Sequence, residues 1–219
     1  MADTDIVPFG VAVAGDVLSA LSLPGGGTLV AIATSALAKK RKEAAEILIK
    51  EISSGRHGPV QFDQHDVDPL IDIILRFSKA VADGVARENL ILLAQVIAGM
   101  KKKRALDPDR FRRWSKVVEQ LTRDELLVVG FAYQELKREA NVDDFNNNLR
   151  EKLKGAGYNE SEVEALLTSV GSTGLLSSAS AWGGLAYRPT AWLSELGDLA
   201  DIEAKRTQTS AHSASGIGA

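Results

Sequence analysis

The chain of 219 residues contains no cysteine, so disulfides, thiolate metal sites and a thiol nucleophile are excluded, a composition that fits a reducing cytosol. No Gly-x-Ser-x-Gly elbow and no His-Glu-x-x-His pair occurs among its serines and three histidines. The triplet Gly25-Gly26-Gly27 lacks the Lys-Ser/Thr that a phosphate-cradling loop needs to neutralise phosphate and hold magnesium. Neither sign of charge dominates: the net charge is -3, so attraction to a polyanion must come from a local patch. Basic residues are missing from the extreme N-terminus, where Asp3 and Asp5 stand instead, and secretion is not expected. No uninterrupted apolar run reaches the roughly 20 residues of a membrane-crossing helix. Paired carboxylates such as Asp143 and Asp144 lie in polar segments without a partner base, so no catalytic residue and no cofactor is expected.

What the chain does have is an apolar beginning. Between residues 6 and 38 the single charge is Asp16, and Pro24, Gly25, Gly26 and Gly27 divide the segment into two arms at a hinge. A helix over 7–21, capped by Thr4 or Asp5, precedes the hinge; a second starts near Thr28 and runs to about Ser53, roughly 40 Å at about 1.5 Å per residue. Its second half is amphipathic, with Ile47, Leu48 and Ile52 on one stripe. The basic run Lys39, Lys40, Arg41 and Lys42 ends the apolar part. Two readings follow: a hairpin of small residues buried in a helical core, or one that inserts at a bilayer surface with the basic run at anionic headgroups.

Residues 54–68 read as a loop. Its His57, Asp63, His65, Asp66 and Asp68 have ligand chemistry, but no two histidines share a helical turn, so the segment is read without a metal. Asp66 or Asp68 is expected to cap the next helix, with Pro69 at its first position. Apolar residues recur at helical spacing over 67–83 and 88–100, then at Phe111, Trp114, Val117, Val118 and Leu121. Between the last two helices Lys101, Lys102, Lys103, Arg104, Arg110, Arg112 and Arg113 face only Asp107 and Asp109, the strongest local charge in the protein. This is a candidate docking patch for an anionic partner or lipid headgroups. Thr122 and Glu125 form a capping box for a helix reaching about Ala140, and a polar helix follows over 142–153.

The last part is organised differently. Asn159 or Ser161 caps a helix, Gly174-Leu175-Leu176 leads into a hairpin turning at Trp182-Gly183-Gly184-Leu185, and a final helix spans 191–204. This order resembles a winged helix-turn-helix. Its candidate recognition helix carries Glu160, Glu162 and Glu164 and no basic residue, which argues against duplex DNA. The predicted architecture is therefore mainly α. A Gly-interrupted hairpin and long helix (1–53) lead through a loop (54–68) to a helical core (69–154), a winged-helix-like α+β unit (155–206) and a disordered Ser/Ala/Gly tail (207–219).

The apolar N-terminus with its basic end, the ENLILLAQVIAGM helix, the LTRDEL helix start and the Gly-Leu-Leu to Tyr-x-x-Thr segment together resemble the bacterial and prophage abortive-infection proteins of the Abi-alpha family. The resemblance implies phage defence and supplies no catalytic residues. The expected function is a non-enzymatic interaction protein with a protein partner or a second copy of itself, acting in the cytoplasm. The alternatives are a membrane-active effector, peripheral at the inner membrane, that inserts residues 6–38, and a winged-helix DNA-binding regulator.

Overall fold

The computed structural model describes residues 28–103, 106–138, 142–181 and 184–202, apart from the side chains at 28–36, 142, 143, 181 and 184. In this described part the chain forms eight helices and one two-stranded antiparallel hairpin, the helical bundle with a small α+β unit that the sequence predicts. The expected helix over 7–21, the hinge Pro24, Gly25, Gly26 and Gly27, and the tail 207–219 lie outside the described residues.

Helix α1 (Thr28–Ser54) buries Ala44, Ile47 and Leu48, which share one face because they are three and four residues apart. A short 3-10 turn (Gln64–Asp66) follows. Helix α2 (Val67–Ala82) starts two residues before Pro69, earlier than the sequence reading has it. Asp66 occupies its N-cap position without capping it, because that carboxylate is taken: it accepts from the Asp63 amide at 2.7 Å and pairs with Lys101 at 2.5 Å. Asp63 is the capping residue here, its side chain accepting from the His65 amide at 2.9 Å.

Helix α3 (Arg87–Lys102) is buried at every position from Leu92 to Met100 and packs on α1, α2 and α4. Such all-round burial marks the central helix of a bundle. Helix α4 (Pro108–Gln120) starts on Pro108 with Asp107 as N-cap and buries Phe111, Trp114, Val117 and Val118 as their spacing predicts. Its far end is held from α3: the buried Asn89 donates through Nδ2 to the carbonyls of Val118 (2.5 Å) and Leu121 (2.8 Å). Two orphan carbonyls of a helix C-terminus are thereby satisfied away from water. Asn89→Ala is expected to cost about 1–3 kcal/mol, the price of leaving such acceptors unmet. Urea unfolding checks this; a loss below a few tenths of a kcal/mol would show that water replaces the amide.

Helices α5 (Arg123–Lys137) and α7 (Glu160–Ser172) both begin with capping boxes, Thr122 with Glu125 and Asn159 with Glu162. Between them lies α6 (Val142–Gly155). Strands β1 (Leu176–Ala181) and β2 (Gly184–Pro189) pair antiparallel with Leu176 opposite Pro189 and Ser178 opposite Tyr187. Buried Tyr187 fastens the hairpin to both helices beneath it. Its hydroxyl lies 2.8 Å from that of Thr168 and donates to Glu164 at 3.1 Å, and its amide donates to Asn146 at 3.1 Å. Three helices followed by a hairpin give the winged-helix-like order. Helices α5 and α6, grouped by sequence with the 69–154 core, pack on α7 and on β2.

Helix α8 (Ala191–Leu199) closes the structure and joins its two parts, touching α3 on one side and α5 and β2 on the other. Two glycines let it approach: a Cβ on Gly197 would fall on the Tyr133 ring, and one on Gly99 would meet the Leu199 backbone. The helix ends five residues before the predicted Ala204. The chain turns extended at Ala200, where Arg56 donates to the Ala200 carbonyl and Gln95 accepts from the Asp201 amide at 2.8 Å.

Candidate functional site

The two basic runs have opposite fates. In the second, most charges are met inside the molecule. Lys101 lies between Asp63 (3.2 Å) and Asp66 (2.5 Å). Burial opposes its charge, yet the two carboxylates outweigh burial and hold its pKa above the usual lysine value. The Lys101 hydrogen bond, with the His65 amide, holds Asp63 below the usual carboxylate range. Lys103 pairs with Asp198 at 3.3 Å, and Arg110 with Glu195 at 2.7 Å. Arg113 lies over the Trp192 ring, 5.2 Å from its centroid, and Arg112 reaches Asp109 at 3.3 Å. Lys102 is exposed, and Arg104 lies outside the described residues. Lys103, Arg110 and Arg113 therefore grip α8 through Asp198, Glu195 and the Trp192 ring respectively. Part of the local excess of positive charge read from sequence is met by acidic residues 85 and 95 positions away.

Residues of the histidine and aspartate loop make contacts within the fold. His57 Nε2 is 2.7 Å from the Leu199 carbonyl, and no group of three or more metal-capable side chains occurs among the described residues. Other displaced carboxylates join elements. Glu135, fully buried on α5, meets Lys152 of α6 at 2.6 Å. Burial would raise its pKa, but the Lys152 and Asn148 hydrogen bonds and the charges of Lys152 and Arg138 bring it below the usual range. Glu160, bonded first by Lys154 and then by Arg150, is also lowered. The predicted recognition helix α7 therefore holds its glutamates to α6: Arg150 bridges Glu160 (3.2 Å) and Glu164 (2.6 Å).

The first basic run stands apart. Glu43 pairs with Arg87, the first residue of α3, at 2.7 Å. One residue on, Ala44 and Ala45 line a shallow apolar dent with Ile74, Phe77 and Val81 of α2. From there α1 continues N-terminally for about four further turns, from Lys42 back to Thr28. At about 1.5 Å per residue these turns span about 22 Å. Lys39, Lys40 and Lys42 on them are exposed; Arg41 is half-buried and has a partner of its own. Residues 28–38 carry no charge. Sequence periodicity does not show where α2 and α3 stop relative to α1; the Glu43 and Arg87 pair, 44 residues apart, is what sets that level.

Fold and site together define a mainly α protein in which a four-helix core and a winged-helix-like unit are joined by α8. No helix among the described residues is long and apolar enough to cross a membrane. No family model, no curated protein and no solved structure matches the chain.

Proposed function

We propose that this is a non-enzymatic interaction protein that engages its partner through the N-terminal half of α1, and that it serves in phage defence. The observation that supports the docking role is the exposure of Lys39, Lys40 and Lys42 on one helix with a stretch, 28–38, that carries no charge in sequence. Exposed cations without a carboxylate partner among the described residues, next to an uncharged helical stretch, suit an anionic partner surface. The defence role rests on the Abi-alpha resemblance, and the site of action is the cytoplasm or the cytoplasmic face of the inner membrane.

The test is phage plating on bacteria carrying the gene. The wild type is expected to lower plaque counts, and Ala33→Glu with Leu37→Glu is expected to abolish protection while Tm stays within about 2 °C, the shift expected for under 1 kcal/mol in a chain of this size. Equal protection by the double variant overturns the docking role; no protection by the wild type overturns the defence role.

A further inference from the structure

We infer that the outer edge of β1 is an interface between two copies of this chain, in which β1 of each copy pairs antiparallel about Ala179 and joins the two hairpins into one continuous sheet. This surface lies in a different part of the chain from the half of α1 proposed above and stands independently of it.

The contacts of the hairpin fix which way its main chain faces. The Tyr187 amide donates to Asn146 and the Leu185 carbonyl accepts from Arg150, both at 3.1 Å, and both partners belong to α6. The main-chain groups of Tyr187 and Leu185 therefore point away from β1. Their register partners, Ser178 and Ser180, stand in the pairs that exchange no bonds within the hairpin. The bond from the Thr190 amide to the Leu175 carbonyl, just beyond the strands, has the same phase. The amides and carbonyls of Ser178 and Ser180 thus face outward from β1, and among the described residues none of them has a hydrogen-bond partner.

The two edges of the hairpin differ. Asn146 and Arg150 close that of β2, where Pro189 has no amide hydrogen to offer and Arg188 is charged. The edge of β1 has none of the devices that keep strands apart, since LSSASA contains no charge and no proline and its register with β2 runs without a bulge. Ser177, Ser178 and Ser180 are exposed. Nor is this edge covered from beneath. Ser178 shares a face of the sheet with Tyr187, yet Tyr187 is buried and Ser178 is not, so the helical cover ends under β2.

A second copy fits this edge because it brings no like charge and no bulky side chain to the seam. With Ala179 opposite Ala179 of the second copy, Ser178 faces Ser180 of the second copy and Ser180 faces its Ser178, each pair exchanging both N–H···O bonds. A shift that keeps this phase would draw Leu176 into the ladder, and its carbonyl already faces Gly171 of α7. The alanine pair is of the close kind, with Cα atoms about 4.5 Å apart, which suits two methyl groups. Arg188, the single charge in the two strands, stands on β2, one strand back from the seam.

The absence of cysteine makes the test direct, because Ala179→Cys and Ser177→Cys each give the full chain one thiol. Two thiols at 179 would lie within the Cα range of a disulfide, roughly 4.4–6.8 Å. Two at 177, out of step in this register, would be roughly 13 Å apart at about 3.3 Å per residue. Sedimentation over a concentration series is expected to show a monomer and dimer in equilibrium, and mild oxidation to cross-link the Ala179→Cys chain while leaving Ser177→Cys monomeric. Ser178→Lys with Ser180→Lys sets like charges directly opposite and should weaken the dimer roughly tenfold; Ser178→Glu with Ser180→Lys sets opposite charges at the same pairs and should restore it.

A chain that stays monomeric throughout and does not cross-link at 179 overturns the inference. So does equal cross-linking at 177 and 179, which is random collision, or a dimer indifferent to the double lysine change, which meets through another surface. Circular dichroism checks the fold of each variant, and if the double lysine chain unfolds, the two cysteine chains decide.

Discussion

Trp114→Ala is expected to lower the stability of the protein by about 3–5 kcal/mol, the usual cost of removing a fully buried tryptophan. The ring is 0% exposed on the buried face of α4, against α8. Its Nε1 donates to Glu195 at 3.1 Å, and it forms a T-shaped pair with Trp192, with centroids 6.3 Å apart and planes at 70°. Such an edge-to-face pair adds about 0.5–1.5 kcal/mol to the burial itself. Arg110 bonds the same Glu195 oxygen at 2.7 Å, so the carboxylate is not orphaned when the indole goes. The cost is therefore mainly cavity. Trp114→Phe, which keeps most of the ring and loses the N–H, should lose less than half as much. Urea unfolding of both variants measures this, and Tm should fall by roughly 6–20 °C in the alanine variant. An alanine variant that loses under about 1 kcal/mol would mean that α8 is not seated on α4 in solution.

The same corner shows what the sequence could and could not disclose. Phe111, Trp114, Val117 and Val118 announce the buried face of α4 by spacing alone, and Asp107-Pro108 announces its start, because periodicity and caps act within one or two turns. The boxes at Thr122 with Glu125 and at Asn159 with Glu162 are legible for the same reason. The use of Arg110 is not. Counted among its neighbours it belongs to a basic patch, while its partner Glu195 is 85 residues away and reaches it only once α8 has crossed from the hairpin to α3. The signal is present as a second imbalance, seven carboxylates against three basic residues over 160–206, and two opposite local charges in one chain are a reason to look for each other. The end of α8 was hidden similarly: Arg56 and Gln95 stop it at Ala200, and neither lies within 100 residues of it. The candidate site was half legible. Lys39, Lys40 and Lys42 stand out in sequence, but their exposure and the Glu43–Arg87 pair beside them depend on where α3 begins in space.

Loss of Lys152 is the second large effect, and its dependence on pH separates an ion pair from simple packing. Lys152→Met keeps most of the hydrocarbon stem and removes the ammonium, which also lies over the Phe131 ring at 5.6 Å from its centroid. The Glu135 carboxylate, 0% exposed, is then left with Asn148 at 3.0 Å and the largely exposed Arg138 at 3.1 Å. Breaking a buried pair from one side costs about 3–5 kcal/mol, and the remaining partners bring the expectation to about 2–4 kcal/mol at pH 7. The folded-state pKa of Glu135 is below its ordinary value. Its contribution is therefore complete above the unfolded value of about 4.3 and is lost as pH falls through the folded one. In the variant the lowering by Lys152 is gone and burial acts against the charge, so acid protonates the folded state readily and costs it less. The gap between wild type and Lys152→Met should accordingly be widest near pH 7 and narrow below about pH 4. Urea titrations at pH 7 and pH 3.5 measure it. A gap of equal size at both would mean that Lys152 works through its hydrocarbon stem and its hydrogen bond to Gln134, at 3.1 Å, and that the buried carboxylate is held by Asn148 and Arg138 alone.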